Sequence, residues 1–362
     1  MMLVKIPECI QSIEPYKPGK PIEELAREHG IEHAIKLASN ENPLGPSPLA
    51  VQAIVQALSS LHRYPDGRGY ELTVKLSSRL GFSPDHFVLG NGSDDLIGML
   101  TRALLQPGDE VIIPTPSFLM YEINVKSAGA IPILVPLRSL AICGNDLLER
   151  VTSRTRMIFI CNPNNPTGTV LSRSDFETFI EAIPPGIVVI VDEAYMEFVR
   201  DPNCINSMEF IHGDRPVVAL RTFSKAYGLA GLRIGYGVMT PELAGVLHRI
   251  RQPFNASLLA QAGAVAALED EAFLNKTVQT VHEGLDYLYT ELDRIGVRYF
   301  PTQANFFLID TGQDADVVFQ NMLKKGVIIR SMSSYGYPKY IRVNTGLAEE
   351  NKRLIEALEQ VL

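Results

Sequence analysis

Ile187-Val188-Val189-Ile190-Val191-Asp192 and, further on, Val217-Val218-Ala219-Leu220-Arg221-Thr222-Phe223-Ser224-Lys225 decide how this chain folds. Each is a nearly unbroken run of aliphatic residues that ends in polar side chains. A strand wet on one face alternates apolar and polar residues. An unbroken run marks a strand covered on both faces, the habit of parallel sheets. Working outward, similar runs occupy 87–90, 110–114, 131–135, 157–161 and 234–238, and helical patterns such as 95–105 and 173–182 lie between them. Strands alternating with helices predict an α/β fold, a large domain built on a mostly parallel seven-stranded sheet.

Beyond residue 241 the texture changes. Long helical patterns cover 256–269 and 272–295. They are followed by a strand over 304–310, a helix over 314–325, strands over 327–330 and 339–344 and a helix over 348–361. The expected division is an N-terminal arm (1–45), a large domain (46–250) and a smaller α+β domain (251–362) completed by part of the arm. The arm is rich in proline, with one helical stretch, 22–29, that Gly30 would cap.

The chain has 362 residues, with 33 Lys and Arg against 41 Asp and Glu, a formal net charge of −8. That balance argues against nucleic acid or an anionic membrane as partner, so any anionic ligand must be met by a local site. Cys9, Cys143, Cys161 and Cys204 are scattered and fit a reducing compartment rather than a disulfide framework. The segment 1–11 has no long apolar stretch, and the longest apolar runs fall well short of the roughly 20 residues that span a bilayer. A cytoplasmic protein is expected.

In open α/β sheets, ligands bind beyond the carboxyl ends of the strands. Four polar segments follow the runs. Asn162-Pro163-Asn164-Asn165-Pro166-Thr167-Gly168 is a rigid loop whose amides can donate to an oxygen. Asp192 ends a buried run, where a carboxylate needs a cation or several donors. Thr222-Phe223-Ser224-Lys225-Ala226-Tyr227-Gly228 and Gly231-Leu232-Arg233-Ile234-Gly235 place a lysine among glycines, with Ser224 and Arg233 suited to a phosphate. A desolvated lysine can act as a nucleophilic amine and form a Schiff base. Gly90-Asn91-Gly92-Ser93-Asp94-Asp95 opens a helix whose backbone N–H groups point at anions. It does not continue as a dinucleotide fingerprint, and the side chains of Asp94 and Asp95 would have to turn away from a phosphate. No histidine near Asp192 suggests a metal, and none is expected.

Together these groups fit pyridoxal 5′-phosphate. Its aldehyde would take Lys225, its ring nitrogen would pair with Asp192, and its ring oxygen would accept from Asn165 and Tyr195. A competing pattern, His29-Gly30-Ile31-Glu32-His33, spells the inverted zinc-protease motif, but Gly30 interrupts the helix that it needs.

The words N-N-P-T-G, V-D-E-A-Y and T-F-S-K-A-Y-G-L-A-G-L-R-I-G-Y resemble the signatures of fold type I, class II pyridoxal-phosphate aminotransferases. S-N-E-N-P-L-G-P-S-P (39–48), Y-P-D-G (64–67), G-N-G-S-D-D (90–95), P-T-P-S-F (114–118) and R-Q-P-F-N (251–255) are similar to the histidinol-phosphate aminotransferase family. The likeness runs in order from Tyr16 to Gly346. It implies that Lys225 holds the cofactor and later moves a proton, that Asp192 pairs with the pyridine nitrogen, and that Asn165 and Tyr195 bind the ring oxygen. It implies that Ser93 and Asp94 offer backbone amides to the phosphate that Ser224 and Arg233 also hold, and that Phe118 lies on the ring face. It implies a homodimer in which Tyr64 reaches the neighbouring subunit's cofactor phosphate.

In the stretch 339–344, Ile341 and Val343 face one way and Tyr340, Arg342 and Asn344 the other, so Arg342 can face the site while its neighbours pack. Arg330 ends the preceding strand, and two guanidinium groups suit a dianion. The resemblance assigns both to the substrate phosphate, with Tyr16 helping from the other subunit. It implies transamination between L-histidinol phosphate and 2-oxoglutarate, giving imidazole-acetol phosphate and L-glutamate, in histidine biosynthesis. Threonine-phosphate decarboxylases and aromatic or broad-range amino-acid aminotransferases share much of this vocabulary.

Overall fold

The computed structural model describes residues 4–16, 31 and 33–362. The seven strands lie in the order Phe87–Gly90, Gly235–Val238, Val217–Thr222, Val188–Asp192, Thr155–Cys161, Glu110–Thr115 and Ile131–Pro136. Their unbroken apolar runs are explained by two-sided burial. Ile158, Ile160, Val189, Val191 and Ala219 enter one core, while Met157, Phe159, Ile190, Val218 and Leu220 enter another. Successive side chains of a strand point to opposite faces, and here both faces are covered. The run at 131–135 is the exception. As strand Ile131–Pro136 it forms one edge of the sheet, carries Pro132 and Pro136, and leaves Ile131 and Leu134 exposed.

Gly235–Val238 runs antiparallel to both its neighbours. A parallel return needs a crossover of a dozen or more residues, usually a helix. The segment 223–234 holds only the short 3₁₀ turn Ala230–Leu232, so the chain doubles back beside Val217–Thr222. Because Phe87–Gly90 pairs antiparallel with Gly235–Val238, its carboxyl end falls on the same edge as those of the parallel strands. The loops after Gly90, Thr115, Cys161, Asp192 and Thr222 therefore gather along one rim.

A second sheet is antiparallel, in the order Arg330–Ser331, Tyr340–Asn344, Phe306–Asp310 and Arg298–Phe300. The single strand expected over 327–330 is divided. Val327–Ile328 pairs with Ile35–Lys36 of the arm, and Arg330–Ser331 pairs with Tyr340–Asn344. Ile341 and Val343 bury in this domain's core with Phe306, Phe307 and Leu354.

We draw the domain division at Asp270 rather than at 250. Helix Leu258–Glu269 packs on Pro48–Ala57 and Tyr70–Leu80, and its small residues Ala260, Ala264 and Ala267 join the large domain's core. Asp270 then caps Glu271–Arg294, whose Val281, Leu285, Leu288 and Leu292 line the smaller core. The helical stretch expected over 22–29 lies outside the described residues.

Candidate active site

One cavity opens on the rim. It is lined by Ser93, Asp94, Phe118, Asn165, Asp192, Tyr195, Ser224, Lys225 and Arg233, and by Arg330, Arg342, Tyr16 and Tyr335 from beyond the large sheet. Of the residues that the sequence assigns to cofactor or substrate, Tyr64 alone lies elsewhere. It is 82% exposed and stacks on Phe254, with ring centroids 4.7 Å apart. Tyr16, expected from a neighbouring subunit, lines the cavity of its own chain.

Lys225 follows strand Val217–Thr222 and is held where solvation is poor. Burial, followed by the nearby Arg342 guanidinium, pushes its ammonium down to about 8. Its Nζ donates to Ser39 O at 3.2 Å and lies 5.6 Å from the centre of the Tyr195 ring. A neutral amine is thus accessible near neutral pH, as a Schiff-base lysine requires.

Asp192 ends Val188–Asp192 in the opposite electrostatic condition. Burial pushes its carboxyl up to about 6, against the pull of a 2.7 Å hydrogen bond donated by Tyr121 to Oδ2. Tyr121 is itself fixed by stacking on Phe159, centroids 4.6 Å apart. Oδ1 of Asp192 is buried and has no hydrogen-bond partner among the described residues. A buried carboxylate with one idle oxygen lacks a cationic donor, and a protonated ring nitrogen would be that donor. Behind it, the buried Glu193 makes an ion pair with the half-buried Arg221 of the next strand at 2.8 Å.

The anion cradle forms where three loops converge. Gly92, at φ +83°, precedes helix Ser93–Leu104, and a Cβ there would lie 2.4 Å from Arg233 Nη2. The missing side chain is what lets the guanidinium sit against the helix start. Arg233 adopts a left-handed backbone (φ +56°), and its Nη1 donates to Ser224 Oγ at 3.3 Å. A non-glycine residue held there is strained, which is common at ligand sites. Asp95 turns away as expected: Oδ2 accepts from Asn91 N at 3.0 Å and from Asn255 Nδ2 at 2.8 Å. Asp94 does not turn away. It lines the cavity with Oδ1 unpartnered, and burial lifts its carboxyl above the ordinary value against the pull of Arg233.

Arg342 is buried, with Nη1 donating to Asn165 Oδ1 and Nη2 to Ala38 O at 2.8 Å. Its Nε has no partner among the described residues. Because Asn165 Oδ1 is engaged, that side chain has only its Nδ2 to offer a ligand oxygen. Arg330 is register partner to Arg342 in the adjoining strand, and it hydrogen-bonds the buried Tyr335. Phe118 meets Tyr121 edge to face at 5.6 Å.

Sequence reasoning did not single out Asn40, Tyr121 or Tyr335. Asn40 lay within the quoted S-N-E-N stretch, but its contacts join residues far apart in the chain. Tyr121 and Tyr335 carry no local mark beyond an aromatic ring near a turn. Of the inverted zinc-protease motif, His29, Gly30 and Glu32 lie outside the described residues.

The orphaned Asp192 oxygen, the desolvated Lys225 and the Gly92–Arg233 cradle fit pyridoxal phosphate. The sequence model for "Aminotransferase class I and II" matches residues 32–358. The histidinol-phosphate aminotransferase of Moorella thermoacetica is 45% identical over 99% of this chain and 93% of its own. That of Desulfotalea psychrophila is 46% identical over 99% and 95%. The crystal structure of histidinol-phosphate aminotransferase from Sinorhizobium meliloti in complex with pyridoxal-5′-phosphate superposes with a TM-score of 0.91 at 29% identity, covering 99% of this chain and 98% of that one. Site, fold and sequence agree: the chain belongs to the class I and II aminotransferases of fold type I, among the histidinol-phosphate aminotransferases.

Proposed function

We propose that the chain moves the amino group of L-histidinol phosphate to 2-oxoglutarate, giving imidazole-acetol phosphate and L-glutamate, a step of histidine biosynthesis. The observation that carries the substrate is the pair Arg330 and Arg342, flanked by Tyr16 and Tyr335, in the same cavity as Lys225 and Asp192. Paired guanidinium groups with phenolic hydroxyls suit a phosphate dianion.

Bound at Lys225, pyridoxal phosphate supplies the electron-withdrawing ring that stabilises negative charge on the substrate carbon. The chain does the rest. Asp192 holds a proton on the ring nitrogen. Asn165 Nδ2 and the Tyr195 hydroxyl donate to the ring oxygen. The backbone N–H groups of Ser93 and Asp94, with Ser224 and Arg233, hold the cofactor phosphate, and Phe118 covers the ring. Lys225, as a free amine titrating near 8, would take and return the proton of the substrate carbon. Arg330, Arg342 and Tyr16 bind the substrate phosphate.

A homodimer belongs to this reading. Leu49, Val51, Val55, Leu58 and Leu61 leave an apolar face exposed along helix Pro48–Ala57 and the turn after it, close in sequence to the exposed Tyr64. Such a face suits a second copy of the chain, and Tyr64 would then reach that copy's cofactor phosphate. Among the described residues, no helix is long and apolar enough to cross a membrane. A cytoplasmic location suits four unpaired cysteines.

The test is a half-reaction. The yellow holoenzyme is mixed separately with histidinol phosphate, phenylalanine and threonine phosphate, and its visible absorbance is followed. Bleaching by histidinol phosphate at the lowest concentration is expected. Preference for phenylalanine, or release of CO₂ from threonine phosphate, would overturn the assignment.

A further inference from the structure

We propose that Asn40 is a positioning residue that fixes the direction of the Tyr195 hydroxyl proton, making Tyr195 a donor into the cofactor cavity. The inference rests on the functional reading above and deepens it.

Asn40 Nδ2 lies 3.0 Å from the Tyr195 hydroxyl. An amide NH₂ only donates, so the phenolic oxygen accepts there and its own proton is left free. Among the described residues no acceptor takes that proton, and Tyr195 lines the cavity with Lys225 and Asn165. Were the amide turned the other way, Tyr195 would give its proton to Oδ1 and present only lone pairs to the ring oxygen.

The frame around Asn40 is rigid. The residue is 2% exposed and adopts a left-handed backbone, φ +55°. Its N–H donates to Asn344 Oδ1 at 3.0 Å, and its carbonyl accepts from Asn305 Nδ2 at 3.2 Å. Both partners lie in or beside the small-domain sheet. A residue kept only for its left-handed turn would be served by glycine. The side chain of Asn40 makes one hydrogen bond among the described residues, and it goes to Tyr195. The neighbouring carbonyls of Ala38 and Ser39 accept from Arg342 and Lys225, so the same short strap touches the clamp, the nucleophile and the phenol.

The decisive variant is Asn40→Gly, which keeps the left-handed backbone and deletes the amide. The readout is the pH titration of the holoenzyme's visible absorbance, with the Kd for pyridoxal phosphate measured alongside. A donor to the ring oxygen favours its anionic form and lowers the pH of the colour change. Asn40→Gly is therefore expected to raise that midpoint by roughly half to one pH unit, the worth of one weakened hydrogen bond. In a Tyr195→Phe background the same substitution is expected to move it by a small fraction of that. An unchanged midpoint, or equal shifts in the two backgrounds, would overturn the proposal. Should Asn40→Gly fail to fold, Asn40→Asp serves, because a carboxylate of the same shape only accepts. Its shift must then be larger with Tyr195 present than in the Tyr195→Phe background, and equality would again overturn the proposal. If the unmutated protein shows no pH-dependent colour with pyridoxal phosphate, the functional reading falls, and this inference with it.

Discussion

Replacing Asp192 by asparagine should stabilise the cofactor-free protein while removing most of its activity. Asp192 is buried, its Oδ1 has no partner, and its carboxyl is pushed up from an ordinary 3.8 to about 6. Because the folded value lies above the unfolded one, the fold favours the protonated form. The penalty is absent below about pH 4, grows as pH rises through about 6, and is complete above it. Fully developed, that displacement is worth about 3 kcal/mol. Asparagine has the same shape, stays neutral at every pH, and still offers an oxygen to the Tyr121 hydroxyl, now 2.7 Å away. Urea unfolding of the two apoproteins at pH 4 and pH 8 measures the difference. Asp192→Asn should be the more stable by about 1–3 kcal/mol at pH 8, with the gap closing at pH 4. The holoenzyme should respond in the opposite sense, losing roughly 10²- to 10³-fold in turnover, the order seen when one pre-placed electrostatic partner is deleted. An apo Asp192→Asn protein less stable than its parent at pH 8 would refute the claim that the carboxylate is held at a cost for a cationic ligand.

Three further outcomes follow from the same geometry. The rate at which apoprotein captures pyridoxal phosphate should rise as pH passes through about 8, because burial sets Lys225 there, and stopped-flow absorbance reads it; a rise centred near 10.5 would contradict the desolvated amine. Arg342→Ala should raise KM for histidinol phosphate by roughly tenfold or more, as loss of a charge-assisted contact does, yet change KM for histidinol much less; equal losses would count against a phosphate clamp. Val55→Asp, on the exposed face of Pro48–Ala57, should convert the proposed dimer to monomers in sedimentation velocity and lower activity with it, whereas a dimer unchanged by the substitution would place the interface elsewhere.

Much of this was written locally. Buried strands need aliphatic residues on both faces, so runs such as 157–161 and 217–221 announce themselves, and the polar residues ending them fall on one rim. Direction is less legible: Gly235–Val238 reads like its parallel neighbours, and only the lack of a crossover helix in 223–234 turns it around. The stretch 327–330 looks like one strand because residue type does not record which sheet each half joins. Helix Leu258–Glu269 follows the texture of the small domain, yet its alanines fit the close approach of Pro48–Ala57. Lys225, Asp192 and Asn165 stood out because charge or amides interrupt apolar runs. The partners that tune them did not, since Asn40 reaches Tyr195 across 155 positions and Tyr121 reaches Asp192 across 71.

The central claim is that one desolvated amine, Lys225, carries the coenzyme. Treating the holoenzyme with borohydride and mapping its peptides by mass spectrometry tests this directly. The account predicts a single reduced pyridoxyl adduct, on Lys225. An adduct on any other lysine, or none at all, would contradict it.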